Sequence, residues 1–276
     1  MSYGVRYSCE WRSPMRERSL YIIEILERDY TGKAGLLYPT GDVVTITQGR
    51  LDDNEFEPIK ASEAVMSMLC VEEGDPYMVL FTSDPLRFKL RIQKMSLSRK
   101  LLYWEGYLAA GTYAQDYALP PYRVELRATD GLALLKDIPY LDETGERYTG
   151  VRTLSAIVED IMSRISAWRV LYPYSMENIE PEQMESSMAV VGLESEGIYS
   201  SLGKGEVPSC YEVLEAILQS MQCQLFQSYG SWVVRPLISL ATNERPSSIR
   251  SSVNNGYTDI PLYGSDEDGL GMSTSA

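Results

Sequence analysis

Histidine is absent from all 276 residues, and that absence excludes more chemistry than any motif adds. Histidine is the usual general base near neutral pH and the commonest nitrogen ligand for zinc. Ser-His-Asp and Cys-His nucleophiles, HExxH centres and Cys₂His₂ sites are therefore all ruled out, leaving carboxylate, lysine or tyrosine chemistry. Cysteine is sparse: Cys9, Cys70, Cys210 and Cys223 show no CxxC spacing. They read as free thiols of a chain made in a reducing cytoplasm, and no residue pattern calls for a metal or a cofactor. The opening MSYGVRYSCEWRSP lacks the apolar run of a signal peptide, and no run approaches the roughly 20 residues of a membrane span, so the chain reads as soluble. Cations are scarce too, with 25 Lys and Arg against 39 Asp and Glu for a net charge of -14. That balance argues against a nucleic-acid binder, because counterion release needs clustered Lys and Arg. It is compatible with a wall past which DNA slides without sticking.

What is present is a patterned, foldable chain, 44% hydrophobic and long enough for one large domain or two smaller ones. LYIIEILERDY (20–30), DVVTITQG (42–49), EAVMSMLCVEE (63–73), PYMVLF (76–81), RFKLRIQK (87–94), LLYWEGYLA (101–109) and YRVELRAT (122–129) are rich in β-branched and aromatic residues, and YTGKAG, YPTGD, EEGDP and TSDP punctuate them. This spacing predicts seven strands in an antiparallel barrel or sandwich. In the last of them Val124, Leu126 and Ala128 alternate with Arg123, Glu125 and Arg127, so one face is wet. Thr129 and Asp130 then offer caps, and Leu132, Leu134 and Leu135 form a short helical plug stopped by Ile138-Pro139.

After Gly150 the period changes. Leu154, Ile157, Val158, Ile161 and Ile165 predict an amphipathic helix over about 152–167. Ser209 and Glu212 form a capping box for a second helix over about 209–222, and CQLFQSYGSWVVRPL (223–237) reads as a hairpin. The sequence thus divides into a barrel-like domain 1–148, an α+β module 149–238 and a Ser, Asn, Gly and Asp rich tail 239–276 that cannot order itself alone.

YRVELRATDGLALLKDIPY (122–140) resembles a segment of tail-tip or baseplate-hub proteins of tailed bacteriophages and prophages, of the type found in gut Bacteroidales. LYIIEILERDYTG (20–32), DDNEFEPIKASEAVMSML (52–69) and YEVLEAILQSMQCQLFQSYGSWVVRPL (211–237) are similar to the same family, and together they spread over most of residues 1–238. The resemblance implies a non-enzymatic virion component with β-barrel hub domains, often trimeric. Such a protein joins the tail tube to the distal tail and borders the DNA passage. The implied partners are other tail proteins, namely tail tube, distal tail, tape measure or fibre proteins. Genomic DNA meets it only in transit.

Candidate sites are few. Arg87, Lys89, Arg91 and Lys94 alternate with Phe88, Leu90 and Ile92, and Arg99 and Lys100 follow. This is either a basic stripe that docks on an acidic neighbour or a solvated strand face paired with Glu125. Glu177, Glu180, Glu182, Glu185, Glu194 and Glu196 form an acidic segment, either the partner of that stripe across an interface or a solvating loop. Asp52, Asp53, Asn54 and Glu55, and Asp266 to Gly269, lack a full EF-hand pattern and read as turns. A carbohydrate-binding module would use Trp104, Trp168 and Trp232 as platforms, though each sits in an apolar stretch. A glycosidase would need Asp130 and Glu125 to converge.

Overall fold

A computed structural model describes residues 2–13, 19–49, 56–71, 76–96, 99–109, 119–166, 170–171, 191–203, 206–237, 248–253 and 256–261. The protein is mainly β with a smaller α+β part. It divides into two compact units: Met1–Leu51 with Ala61–Asp130 in the first, and Asp52–Lys60 with Gly131–Asp266 in the second.

The first unit is built on eight strands: β1 (Tyr3–Arg12), β2 (Leu20–Arg28), β3 (Gly35–Leu36), β4 (Pro39–Gln48), β6 (Ser62–Cys70), β7 (Phe88–Ser96), β8 (Arg99–Leu108) and β9 (Tyr122–Thr129). They form one sheet in the order β3-β1-β2-β7-β8-β9-β6-β4, so β3 and β4 are its opposite edges. Laid flat, eight strands would span about 34 Å. Leu36 and Pro39 are joined by three peptide units, which reach at most about 11 Å. The sheet must therefore curl until its edges meet. The hydrogen bonds close the seam there: Leu37 N donates to Ser8 O of β1, and Leu69 N of β6 donates to Tyr38 O.

Inside the curl lie Ile23, Ile25, Met66, Met68, Leu90, Ile92, Val124 and Leu126, all buried. On β9 Val124, Leu126 and Ala128 face in and Arg123 and Arg127 face out, as their alternation predicts. The run 76–81 is different from its predicted strand. It is a 3-10 turn, Pro76–Leu80, because a short apolar run fits either conformation and packing decides. Here Tyr77 is buried, its ring edge-on to Tyr7 at 5.5 Å and its hydroxyl donating to Leu36 O at 3.4 Å.

The second unit holds β5 (Ile59–Lys60), a 3-10 turn Leu132–Lys136, β10 (Val151–Thr153), α1 (Leu154–Ser163), β11 (Val170–Leu171), β12 (Gly192–Glu194), α2 (Ser195–Ser201), α3 (Cys210–Ser220), β13 (Cys223–Ser228) and β14 (Ser231–Pro236). A hairpin of β15 (Ser248–Val253) and β16 (Gly256–Pro261) follows. Its main sheet runs β11-β14-β13-β5. Against it pack Ile157, Ile161, Val213, Leu214, Ile217 and the plug residues Leu132 and Leu135. The capping box at α3 is formed as read, with Glu212 N donating to Ser209 Oγ at 3.2 Å and Ser209 N to Glu212 Oε2 at 2.7 Å. At α1, Thr153 Oγ1 caps Ala156 N, and the helix stops four residues short of its predicted end, where Arg164 N turns back to Ile161 O. No described helix is long and apolar enough to cross a membrane.

Leu126 is 5% exposed, so Leu126→Ala should cost about 2–5 kcal/mol in urea unfolding. Arg127→Ala, on the wet face, should stay within about 0.5 kcal/mol.

Candidate functional site

The outer face of β2, β7 and β8 carries the densest set of charges. Register places Arg91 opposite Glu24 on one side and Glu105 on the other, and Lys89 opposite Leu26 and Tyr107. Lys89 Nζ lies 3.0 Å from Glu105 Oε1, and Arg91 Nε lies 2.7 Å from Glu105 Oε2. Arg91 also reaches Glu24 at 3.9 Å, and Arg87 donates to Glu27 at 2.8 and 3.1 Å. The rings of Tyr3 and Tyr107 flank the Lys89 ammonium at 4.7 and 4.8 Å. Glu24, Glu27, Lys89 and Glu105 are all buried.

Three of the four stripe cations, Arg87, Lys89 and Arg91, are thus held by carboxylates of their own sheet. Their partners are Glu24, Glu27 and Glu105, whereas Glu125, the partner read from the sequence, bonds Arg127 at 3.3 Å. The misreading has a plain cause, since cross-strand pairing sets these partners and sequence distance does not. Lys94, half-buried, stands opposite Tyr21 and Leu101.

A second polar centre sits where β9 ends. Asp130 Oδ2 accepts from Ser62 N at 2.5 Å and from Ser62 Oγ at 2.9 Å, and Trp104 Nε1 donates to Ser62 Oγ at 2.9 Å. Asp130 N returns a bond to Ser62 O at 3.1 Å. This corrects the reading of Asp130 as a helix cap, because Gly131, at φ 90°, is the N-cap of the plug and makes no side-chain cap bond. A residue 68 positions away leaves no local signal. The left-handed backbone at 131 explains why glycine follows Asp130.

In the second unit, three tyrosines and three arginines form a cluster in which Tyr148, Arg152 and Arg164 reach Asp160. Tyr148 Oη donates to Asp160 Oδ2 at 2.6 Å, with Arg152 and Arg164 at 3.6 and 3.5 Å. Arg152 stacks 3.9 Å over the Tyr148 ring and donates to Tyr140 Oη at 2.9 Å. Arg164 also bonds Leu141 O and Tyr148 Oη, and Arg147 lies over the Tyr199 ring at 5.1 Å. Tyr199 Oη donates to Tyr140 O at 2.9 Å. These contacts tie the 140–148 loop to β10, α1 and α2, so the cluster is a brace. Periodicity carries no sign of it.

Burial raises the thiols of Cys9, Cys210 and Cys223 to about 11, so they are protonated and poor nucleophiles near neutrality. Burial likewise pushes the Tyr3 and Tyr107 phenols to about 12, which disqualifies them as neutral-pH bases.

Of the remaining sequence candidates, Glu194 and Glu196 are exposed on β12 and α2. Glu177, Glu180, Glu182 and Glu185 lie outside the described residues, as do Asp52 to Glu55, Asp266 to Gly269 and Trp168. Trp104 and Trp232 are 3% and 0% exposed, with no ring face open to a sugar. Asp130 is buried whereas Glu125 sits among the outer-face arginines of β9, so the two do not converge as acid and base.

No family model matches the chain, and no curated protein matches it in sequence. Solved structures similar to it include the 43 kDa tail protein of prophage MuSo2 from Shewanella oneidensis, at 13% identity over 70% of this chain and 49% of that one, with a TM-score of 0.36. Another is the tail protein from Neisseria meningitidis MC58, at 11% identity over 78% and 50%, with a TM-score of 0.36. A third is the prophage tail protein gp18 from Listeria monocytogenes EGD-e, at 10% identity over 70% and 50%, with a TM-score of 0.29. The chain spans about half the length of each. Likeness at these TM-scores defines neither the fold nor the role of this chain.

Glu105→Ala leaves Lys89 buried without its carboxylate and should cost about 3–5 kcal/mol, while Lys89→Met with Glu105→Leu should recover most of that loss. The two urea midpoints measure both outcomes.

Stability should also fall in alkali. The unfolded thiols and phenols ionise from 9.0 and 10.0, whereas the folded ones hold their protons to about 11 and 12. Their contribution is full below pH 9 and is lost as pH rises towards 12. Melting temperature against pH checks it, and a flat profile across that window would contradict the assignment.

Proposed function

We propose that this chain is a structural subunit of a phage tail tip or baseplate hub, linking the tail tube to the distal tail and bordering the DNA passage. One observation carries the reading. The four segments that resemble hub proteins fall on β2, on β5 with β6, on β9 with the plug turn, and on α3 with β13 and β14, which build the cores of both units. The likeness therefore lies in the scaffold rather than around a catalytic pocket, and scaffold is what an assembly protein shares with its kin. The buried charges point the same way, since a fully paired network fixes register and shape but offers a substrate no free group.

In this reading the chain acts without catalysis, forms homotrimers and contacts tail tube, distal tail, tape measure or fibre proteins. Its place is the virion tail, after synthesis in the host cytoplasm. A stripe-to-acidic-segment interface would require Arg87, Lys89 and Arg91 to leave their present carboxylates, which makes these three poor docking groups. Among the described residues the carbohydrate-binding and glycosidase alternatives lose their candidates, because Trp104 and Trp232 are core and Asp130 is bonded to Ser62.

Density-banded particles from the producing host, analysed by mass spectrometry, test the proposal. Peptides of this chain should band with tail proteins, and light scattering of the purified chain should give about three times the 31.1 kDa protomer mass. A chain found only in the particle-free lysate, or turnover of peptidoglycan by the pure protein, would overturn it.

A further inference from the structure

A second group of cations lies apart from the carboxylate-held Arg87, Lys89 and Arg91. It lies at one end of the sheet, at the turn between β7 and β8 and the finish of β1. From residue 92 to residue 104 the chain carries Lys94, Arg99 and Lys100 and no carboxylate, in a protein of net charge -14. Arg12, Arg99 and Lys100 are exposed, and among the described residues no acid pairs with any of them.

Register brings them together. Arg12 stands opposite Leu20, the Tyr21–Lys94 rung comes next, and Met95 stands opposite Lys100. One face of this end thus carries Arg12 and Lys100 with half-buried Leu20 and Met95 between them. Arg99 and Leu101, which flank Lys100 along β8, point to the opposite face of the same end, where Leu101 is 47% exposed. The result is a basic rim around apolar ground, which fits a partner that is acidic and apolar at once.

The sequence contains such a partner. Residues 176–190, MENIEPEQMESSMAV, hold Glu177, Glu180, Glu182 and Glu185, no cation, and Met176, Ile179, Met184 and Met188. We infer that the β7–β8 tip with Arg12 binds the acidic, methionine-rich 176–190 segment of a second copy of this chain. The contact is heterologous, tip to segment, so it can repeat around a ring. It deepens the hub reading, resting on it only in taking the chain to be a subunit. Duplex DNA is the less fitting occupant, because an isolated group of cations on a strongly acidic protein offers little net counterion release.

Charge exchange in the full chain tests this by sedimentation velocity at low and high salt. One variant carries Arg99→Glu and Lys100→Glu, and the other carries Glu180→Lys, Glu182→Lys and Glu185→Lys. Each alone should weaken self-association at low salt by about tenfold or more, with the difference shrinking at high salt. Mixed together they should associate again through unlike neighbours, where a reversed tip meets a reversed segment or an unaltered tip an unaltered segment, with one junction of a three-membered ring left mismatched. Rescue by mixing excludes a contact confined within one chain, and it also shows that both variants are folded.

Three results would each overturn the inference: a wild-type monomer at all concentrations, variants that assemble as the wild type does, and a mixture that stays dissociated. Duplex DNA binding that Arg99→Glu with Lys100→Glu abolishes, without self-association, would overturn it in favour of a nucleic-acid site. Failure here with the chain present in particles leaves the hub reading standing, whereas rescue by a chain absent from particles defeats only that reading.

Discussion

Asp130 and Ser62 form the interaction on which the rest of the first unit depends. Both lie within two residues of where the chain enters or leaves that unit, and a buried carboxylate there accepts two bonds from one residue. A buried carboxylate is tolerable only when its oxygens are filled. Ser62 fills one with both its amide and its hydroxyl, and the Trp104 indole bonds that same hydroxyl. The arrangement sets β6 against β9, whose rungs run from Glu63–Thr129 to Cys70–Tyr122, and locks β8 to the pair at a point where β8 and β9 share only two rungs. Gly106 serves the same junction. A Cβ there would lie 2.3 Å from Thr129 O and from the Trp104 ring, so the strands approach only because residue 106 has no side chain.

Charge is distributed in two layers that composition does not separate. The net -14 describes the whole chain. On the β2–β7–β8 face, however, acids and bases meet as buried partners. Taking Lys89 and Glu105 out of water costs more than their attraction returns unless the geometry is good. At 3.0 Å, with Arg91 on the other oxygen and aromatic rings on the ammonium, it is good. Such a network favours one strand register over its one-residue slips, which would bring core-facing residues such as Ile25 or Leu90 among the charges.

The legible parts of the fold are those whose cause is local. The alternation on β9, the capping box at Ser209 and Glu212, and the helical spacing of Leu154 to Ile161 each encode a partner within a few residues, and each is found as read. What lay hidden depends on distant strands. Arg91 finds Glu24 and Glu105 by register, Asp130 finds Ser62, and Pro76–Leu80 forms a 3-10 turn in which Tyr77 is buried against Tyr7. The candidate site followed the same rule. Cation spacing along β7 was visible, but which cations are neutralised depends on β2 and β8.

The seam at residues 35–39 gives the curled sheet an unequal circumference. Elsewhere strands are joined by up to nine rungs or, at β8 and β9, by two that the Trp104–Ser62 bond reinforces, whereas β3 meets β1 through two. Local opening will therefore begin at the seam, and hydrogen exchange of the Leu37 and Leu69 amides should report it before the amides of β2 or β7. An opened seam would present the unpaired borders of β1 and β4 to other chains, and exposed borders of that length invite strand-to-strand aggregation. Tyr77, seated on Leu36 and Tyr7, is the latch against it, so loosening a single ring would expose the protein to this route of misassembly.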